Sequence, residues 1–189
     1  MISAILLAAG QSKRMNGENK LVKDYKKYPL ITHSVNNILE SKIEKLVIVL
    51  GYQKEIIKKV FKKNNKIKLV FNDGFESGIA SSIKAGLNQL TNETEFFFIC
   101  LGDMPLVNKN IYNFLIKSKN NKKIIVPTYK GQQGNPVLFS YSMKKEIMSI
   151  SGDMGAKKIL EINKDKTLYI EINDQCISKD FNTKADFNF

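Results

Sequence analysis

Arginine is almost missing from this chain. Arg14 is the only one among 30 Lys and Arg residues in a length of 189, so the net charge of +12 rests on lysines scattered from end to end. Nucleic-acid sites draw on arginine for bidentate contacts to bases and phosphates, and the chain carries no RNA- or DNA-binding motif. Dispersed lysine beside abundant Asn and Ile is a composition bias; it argues against a nucleic-acid partner while still favouring the approach of a small anion. Cysteine is scarce as well. Cys100 and Cys176 stand in apolar or mixed runs with no second cysteine at metal spacing, the pattern of reduced thiols without disulfide or catalytic duty. Histidine occurs once, at His33, in a predicted helix away from any strand end, so no histidine general base is expected. No apolar run is long enough to span a bilayer. The first one, Ile2 to Ala8, is too short for a signal-peptide core and is followed by Gly10 and Lys13. A cytoplasmic protein with no membrane partner is the expectation. Proline occurs only at Pro29, Pro105, Pro127 and Pro136, each near an element boundary. Neither a repeat nor a Pro/Ser linker divides residues 1–189, which are read as one domain.

What is present is a globular composition, 43% hydrophobic and 25% charged, in which strand-length apolar runs alternate with helical patterns. Strands are predicted over Ile2–Ala8, Lys45–Leu50, Ile67–Phe71, Phe96–Leu101, Ile124–Thr128, Pro136–Phe139 and Leu168–Ile172. Helices are predicted over Leu30–Glu40, Gln53–Phe61, Gly78–Leu90, Asn108–Lys117, Met143–Ile150 and Met154–Asn163. The strands are rich in Val, Ile, Leu and Phe without clean alternation, which signals burial on both faces. Phe96-Phe97-Phe98 is core strand in this reading, and Lys58-Lys59 with Lys62-Lys63 a solvated helix face. The β-α-β-α order predicts an α/β fold: a three-layer α/β/α, doubly wound, mostly parallel sheet. The short Pro136–Phe139 strand is the candidate antiparallel member, because little chain separates it from the strand before it. Ligands of such sheets bind beyond the carboxyl ends of the strands. The turns to inspect therefore follow Ala8, Leu50, Phe71, Leu101, Thr128 and Ile172.

The turn after the first strand reads Leu7-Ala8-Ala9-Gly10-Gln11-Ser12-Lys13-Arg14-Met15, with Lys20 further on. Small side chains at Ala8, Ala9 and Gly10 let backbone amides approach phosphate oxygens. Ser12 adds a hydroxyl, and Lys13, Arg14 and Lys20 add cationic donors. The glycine spacing of the dinucleotide fingerprint and the Gly-Lys-Ser/Thr ending of a Walker loop are both absent. An ordinary strand-to-helix turn with solvated lysines is the plain alternative. Against it stands the one arginine of a lysine-rich chain, in this turn, where lysine makes a poor substitute for a bidentate phosphate contact. A second turn, Leu101-Gly102-Asp103-Met104-Pro105, puts a carboxylate at the end of a central strand, a hard oxygen ligand suited to Mg²⁺. Asp103 could instead cap a helix, but the next helix begins five residues later. The tail Asp180-Phe181-Asn182-Thr183, with Asp186, would bring one more oxygen ligand from Asp180 or Asn182; a cap on a short terminal helix fits those residues about as well. All of this requires the Gly10 turn and Asp103 to meet on one rim of the sheet.

These three segments resemble the nucleotidyltransferase superfamily with a glycosyltransferase-A-type sheet, a Rossmann-like nucleotide-diphospho-sugar transferase fold. Four more narrow the likeness: Gly51-Tyr52, Gly78-Ile79-Ala80-Ser81-Ser82-Ile83-Lys84, Gly131 to Phe139 with its Gly134-Asn135-Pro136-Val137 centre, and Gly152-Asp153-Met154-Gly155-Ala156-Lys157. Over nearly the whole chain they resemble the molybdenum cofactor cytidylyltransferases. The phosphate loop alone is superfamily-wide; the segments around Asn135 and Asp153 are far more selective. There are departures. Gln132 and Gln133 stand where the family pattern has arginines, Asn182 where it has aspartate, and Lys157 where it has arginine. A neutral amide oxygen binds Mg²⁺ more weakly, and the lost cations bear on acceptor recognition more than on the nucleotide.

The resemblance implies transfer of CMP from CTP to the phosphate of molybdopterin, with Mg²⁺ as cofactor and a molybdenum hydroxylase apoenzyme as a further partner. Residues 7–14 and Lys20 would bind the nucleotide. Asp103, with Asn182 or Asp180, would hold the metal. Gly134, Asn135 and Asp153 would face the acceptor. Asn72, Ser81 and Ser82 could meet the base or ribose, or simply cap a helix. Ala9 takes the place of a second glycine found in guanylyltransferases, and its methyl limits the base that lies over it, which favours CTP over GTP. An acceptor phosphate, already ionised, would attack the α-phosphorus in line. Lys13 and Arg14 would stabilise the leaving pyrophosphate and Lys20 the α-phosphate. GTP-dependent transfer, a sugar or alditol phosphate acceptor, and a non-catalytic cofactor carrier are the alternatives.

Overall fold

The structure, a computed structural model, describes residues 1–12, 15, 18–153 and 155–187. In chain order these form β1 (Ile2–Ala8), β2 (Asp24–Tyr25), β3 (Tyr28–Pro29), α1 (Leu30–Leu39), β4 (Lys45–Leu50), α2 (Lys54–Lys58), β5 (Ile67–Phe71) and α3 (Ile79–Leu87). Then follow β6 (Phe96–Leu101), α4 (Lys109–Lys117), β7 (Ile124–Tyr129), β8 (Gln132–Gln133), β9 (Val137–Ser140), α5 (Lys144–Ile147), α6 (Ala156–Ile162) and β10 (Thr167–Glu171). The main sheet runs β10-β7-β9-β6-β1-β4-β5, with β8 paired to β7. Neighbours along this path are parallel except around β9, which is antiparallel to both β6 and β7.

Burial on both faces is visible within β1. Ala4, Leu6 and Ala8 pack with Ile31, Val35 and Ile38 of α1 and Leu115 of α4. Ile5 and Leu7 point the other way, toward Ile83 and Leu87 of α3 and Ile159 of α6. A strand alternates its side chains, so apolar residues at every position require a helix layer on each face. The three-layer, mostly parallel sheet expected from the chain is what forms. Phe97 and Phe98 are fully buried, one on each side, as core residues.

The differences are local. α2 ends at Lys58 and the chain then runs through exposed Lys62 to Lys66, too polar to bury a helical stripe. The β2–β3 hairpin was not predicted. Its turn is formed by Lys26 and Lys27 at φ 47° and 73°, without the Asn or Gly that normally marks such a turn. β8 is two exposed glutamines, Gln132 and Gln133, hydrogen-bonded back onto β7.

Candidate active site

β1 and β6 lie side by side, with Leu7 opposite Leu101. Their turns therefore leave the sheet together, and the Gly102 amide donates to the Leu7 carbonyl at 3.0 Å. The Gly10 turn and Asp103 thus share a rim, as the chemistry required. They line one cleft of about 380 Å³. Leu7, Ala8, Ala9, Gly10, Gln11 and Ser12 form one wall, with Lys20 and Asp103 at its base; Phe75, Glu76, Gly78, Ile79, Ser82 and Asp153 form the other. Lys13 and Arg14 lie outside the described residues.

The Lys20 ammonium stands between two polar side chains. Its Nζ is 2.5 Å from Asp103 Oδ2 and donates to Asn182 Oδ1 at 2.7 Å. The Asn182 amide nitrogen donates in turn to Asp180 Oδ2 at 2.5 Å. Sequence order alone sets none of this; three anchors do. The Lys20 amide donates to Ser12 Oγ at 3.2 Å, tying its turn to the phosphate loop. The Phe181 amide donates to the Asp103 carbonyl at 2.9 Å. Phe181 itself is fully buried, edge-on to Tyr25 at 4.9 Å and to Phe187 at 5.5 Å. A buried aromatic thus pins the tail while Asp180 and Asn182, on either side of it, reach the rim. Asp186 completes the frame. Lys179, then the Thr183 and Asn182 amides, hold its carboxyl well below the usual carboxylate range. It is a capping residue of the tail.

On the opposite wall, Asn72 donates to Ser81 Oγ at 2.9 Å and Ser82 Oγ at 3.0 Å, and accepts from the Gly74 amide at 3.1 Å. Its amide is committed to bracing the end of β5 against α3. Among the described residues, Asn72 and Ser81 are not part of the cleft lining, while Ser82 is. Gly78 is needed where it stands: at φ 105°, a Cβ there would meet the Gly152 carbonyl carbon at 2.3 Å. That close approach lets the Gly152 carbonyl accept from the Ala80 amide at 3.0 Å, which fixes the Asp153 turn over the cleft.

Gly134 and Asn135 are placed differently. Their amides donate to Pro127 O and Ile177 O, each at 2.8 Å, and a Cβ on Gly134 would meet Ile177 O at 2.6 Å. They join β9 to the segment after β10 and are not part of the cleft lining among the described residues. His33 Nε2 contacts the Tyr25 carbonyl at 2.7 Å, a structural contact. Cys100 and Cys176 are free and buried, and burial pushes both thiols up to about 12, so neither is a nucleophile at neutral pH. Sequence reasoning overlooked Phe75 and Glu76, which line the cleft; Gln11 Nε2 donates to Glu76 Oε1 at 3.2 Å. Their position just beyond β5 was the available signal.

Among the described residues, no three His, Cys, Asp or Glu side chains converge as a metal site. Asp103 and Asn182 nevertheless present two hard oxygens to a single cation, the Lys20 ammonium. That donor pair fits Mg²⁺ if phosphate or water oxygens supply the rest.

The model of the MobA-like NTP transferase domain matches residues 4–168. The chain belongs to that family. Relatives of this MobA-like protein include a molybdenum cofactor cytidylyltransferase of Escherichia coli K12, 29% identical over 74% of this chain and 70% of that one. A probable molybdenum cofactor guanylyltransferase of Methanosarcina acetivorans is 27% identical over 78% of this chain and 66% of its own length. Among solved structures, Rv0371c from Mycobacterium tuberculosis H37Rv superposes with a TM-score of 0.87 at 22% identity, covering 98% of this chain and 95% of that one. This protein is therefore a Rossmann-like nucleotidyltransferase of the MobA-like family.

Proposed function

We propose that this MobA-like protein transfers CMP from CTP to the phosphate of a molybdopterin-type acceptor and releases pyrophosphate. One observation carries the reading: the Gly10 turn, the Lys20 ammonium and the Asp103 carboxylate share one cleft at the carboxyl edge of the parallel sheet. Gly10 supports it. A Cβ there would meet no atom of the described residues within 4 Å, so their packing does not demand a glycine and leaves room for a phosphate.

The acceptor phosphate oxygen attacks the α-phosphorus of CTP in line, and the bond to the bridging oxygen of pyrophosphate breaks. The nucleophile is already ionised at neutral pH, so the chain need not supply a base. Lys20 would neutralise charge growing on the α-phosphate, and Lys13 and Arg14 charge on the departing pyrophosphate. Asp103 and Asn182 would hold Mg²⁺, which when bound offsets the charge of the triphosphate. Asp153, on the far wall, is the acceptor-side candidate. We assign the protein to the cytosol, where its free thiols stay reduced, with a molybdenum hydroxylase apoenzyme as recipient of the product.

Ala9 underlies the choice of CTP. Ala9 lines the cleft, its methyl lies so close to Gly51 that a Cβ on residue 51 would meet it at 2.8 Å, and a second glycine at position 9 would leave a larger base more room. GMP transfer is the second reading, favoured by the guanylyltransferases among relatives of similar identity. The test is pyrophosphate release from each of four nucleoside triphosphates with Mg²⁺, with and without molybdopterin. CTP alone should support release, and only with the pterin. Turnover with GTP would move the reading to guanylyl transfer, turnover with a sugar or alditol phosphate would change the acceptor, and binding without release would favour a carrier.

A further inference from the structure

We infer that Lys20 is an internal stand-in for the divalent ion: it occupies the metal ligands of the nucleotide-free protein and yields them only when a triphosphate arrives. The inference rests on the nucleotidyl-transfer reading for the identity of that anion. Its starting point is that one Nζ touches both candidate metal ligands, at 2.5 Å and 2.7 Å, with the Lys20 and Asp103 side chains only 15% and 16% exposed.

Charge decides what such a site can hold. Asp103 is the one carboxylate in direct contact with the ammonium among the described residues, and Lys20 already neutralises it. Asn182 brings no charge. Asp180 is occupied with the Asn182 amide nitrogen. A divalent ion entering alone would have to eject an ammonium from its only carboxylate partner, with no net negative charge left in that pair to reward it. A triphosphate changes the balance. Lys20 borders the same cleft as Gly10 and Ser12, so its flexible stem can turn the ammonium onto phosphate oxygens while its backbone stays tied to Ser12. Asp103 and Asn182 are then free for an ion that shares those phosphates.

The amide at position 182 has a reason in this arrangement. Its oxygen accepts from Lys20 and its nitrogen donates to Asp180. A carboxylate there could accept from Lys20 but would repel Asp180. Asn182 is therefore the residue that lets a cation and a second carboxylate sit on its two sides, and it adds no charge to the balanced Lys20–Asp103 pair.

The test is titration of nucleotide-free protein with Mn²⁺ alone, read by the loss of its free-ion paramagnetic resonance signal. Lys20→Met keeps the apolar stem and removes the charge; it should bind Mn²⁺ at least about tenfold more tightly than the unaltered protein. Asn182→Asp keeps Lys20 and adds a charge, and should tighten Mn²⁺ by about as much. Equal affinity of Lys20→Met and the unaltered protein, strong or absent, overturns the inference, and so does an Asn182→Asp protein no tighter than its parent. With CTP added, the unaltered protein should carry Mn²⁺ and CTP with it through gel filtration. If it does not, the transferase reading fails; that outcome is separate from the comparison of variants without nucleotide.

Discussion

Beyond β1 and β6, polar side chains converge on an open cleft: Lys20 contacts Asp103 and Asn182, and the Gly10 turn stands beside them. Beyond β7 and ahead of β9, on the other half of the sheet, Gly134 and Asn135 direct their amides into Pro127 and Ile177. Both stretches carry residues marked out by the same family pattern. The first keeps reactive groups at a surface; the second keeps backbone in close contact. A motif glycine can therefore mark a place where two chain segments must touch, and only the partner atoms reveal which kind it is.

Substitutions can break or sharpen this contrast. The largest effect is expected at Asp103. Asp103→Ala should lower turnover by about 10²–10³ or more, while the melting temperature shifts modestly, because Lys20 still has Asn182 and the open cleft. Near-normal pyrophosphate release would remove Asp103 from the reaction. Gly134→Ala should act in the opposite sense. Its new methyl meets Ile177 O at 2.6 Å, which should cost about 1–3 kcal/mol in a denaturant titration and leave the turnover of folded protein close to normal. A loss of turnover at unchanged stability would move Gly134 into the site. Asn72→Ala should cost about 1 kcal/mol through its lost hydrogen bonds to Ser81 and Ser82, without a change in KM for CTP. A tenfold rise in KM would instead put Asn72 against the nucleotide.

The smallest effect concerns the frame of the tail, and it depends on pH. The Asp186 carboxyl is held well below its ordinary range, first by Lys179 and then by the Thr183 and Asn182 amides. The folded form thus favours the ionised group more than the unfolded form does. Its stabilisation is present above the unfolded pKa of about 3.9 and fades as pH falls toward the folded value. Asp186→Asn should lower the melting temperature at pH 7 and converge with the parent protein in acid. A gap that widens in acid would contradict the assignment.

The parallel half of the fold was legible because its signals are strong. β1, β4, β5 and β6 are predominantly apolar, interrupted only by Ser3, Lys45 and Lys68, and their observed ends match the predicted ones. The antiparallel placement of β9 followed from the short link before it. The common rim of Gly10 and Asp103 was a requirement of the sequence reading, and the parallel pairing of β1 with β6 meets it. Side-chain direction was not legible. Asn72 directly follows β5 and Asn182 lies in the segment well beyond β10, yet nothing in the chain tells that one is committed to Ser81 and Ser82 inside the protein and the other to Lys20 at the rim. Nor could the sequence reveal that Lys20 would ion-pair with Asp103, 83 residues away, since that pairing is set by the Ser12 and Phe181 tethers. The β2–β3 hairpin went unseen because a Lys-Lys turn carries no local signature.

The most direct test of the central claim is a structure of the protein with Mg²⁺ and a CTP analogue that cannot be cleaved at the α-phosphorus. The account predicts the β- and γ-phosphates over the Gly10 turn, the Lys20 ammonium on phosphate oxygen, and the ion on Asp103 and Asn182. A triphosphate seated elsewhere, or an ion held away from Asp103 with the Lys20 pair intact, would contradict it.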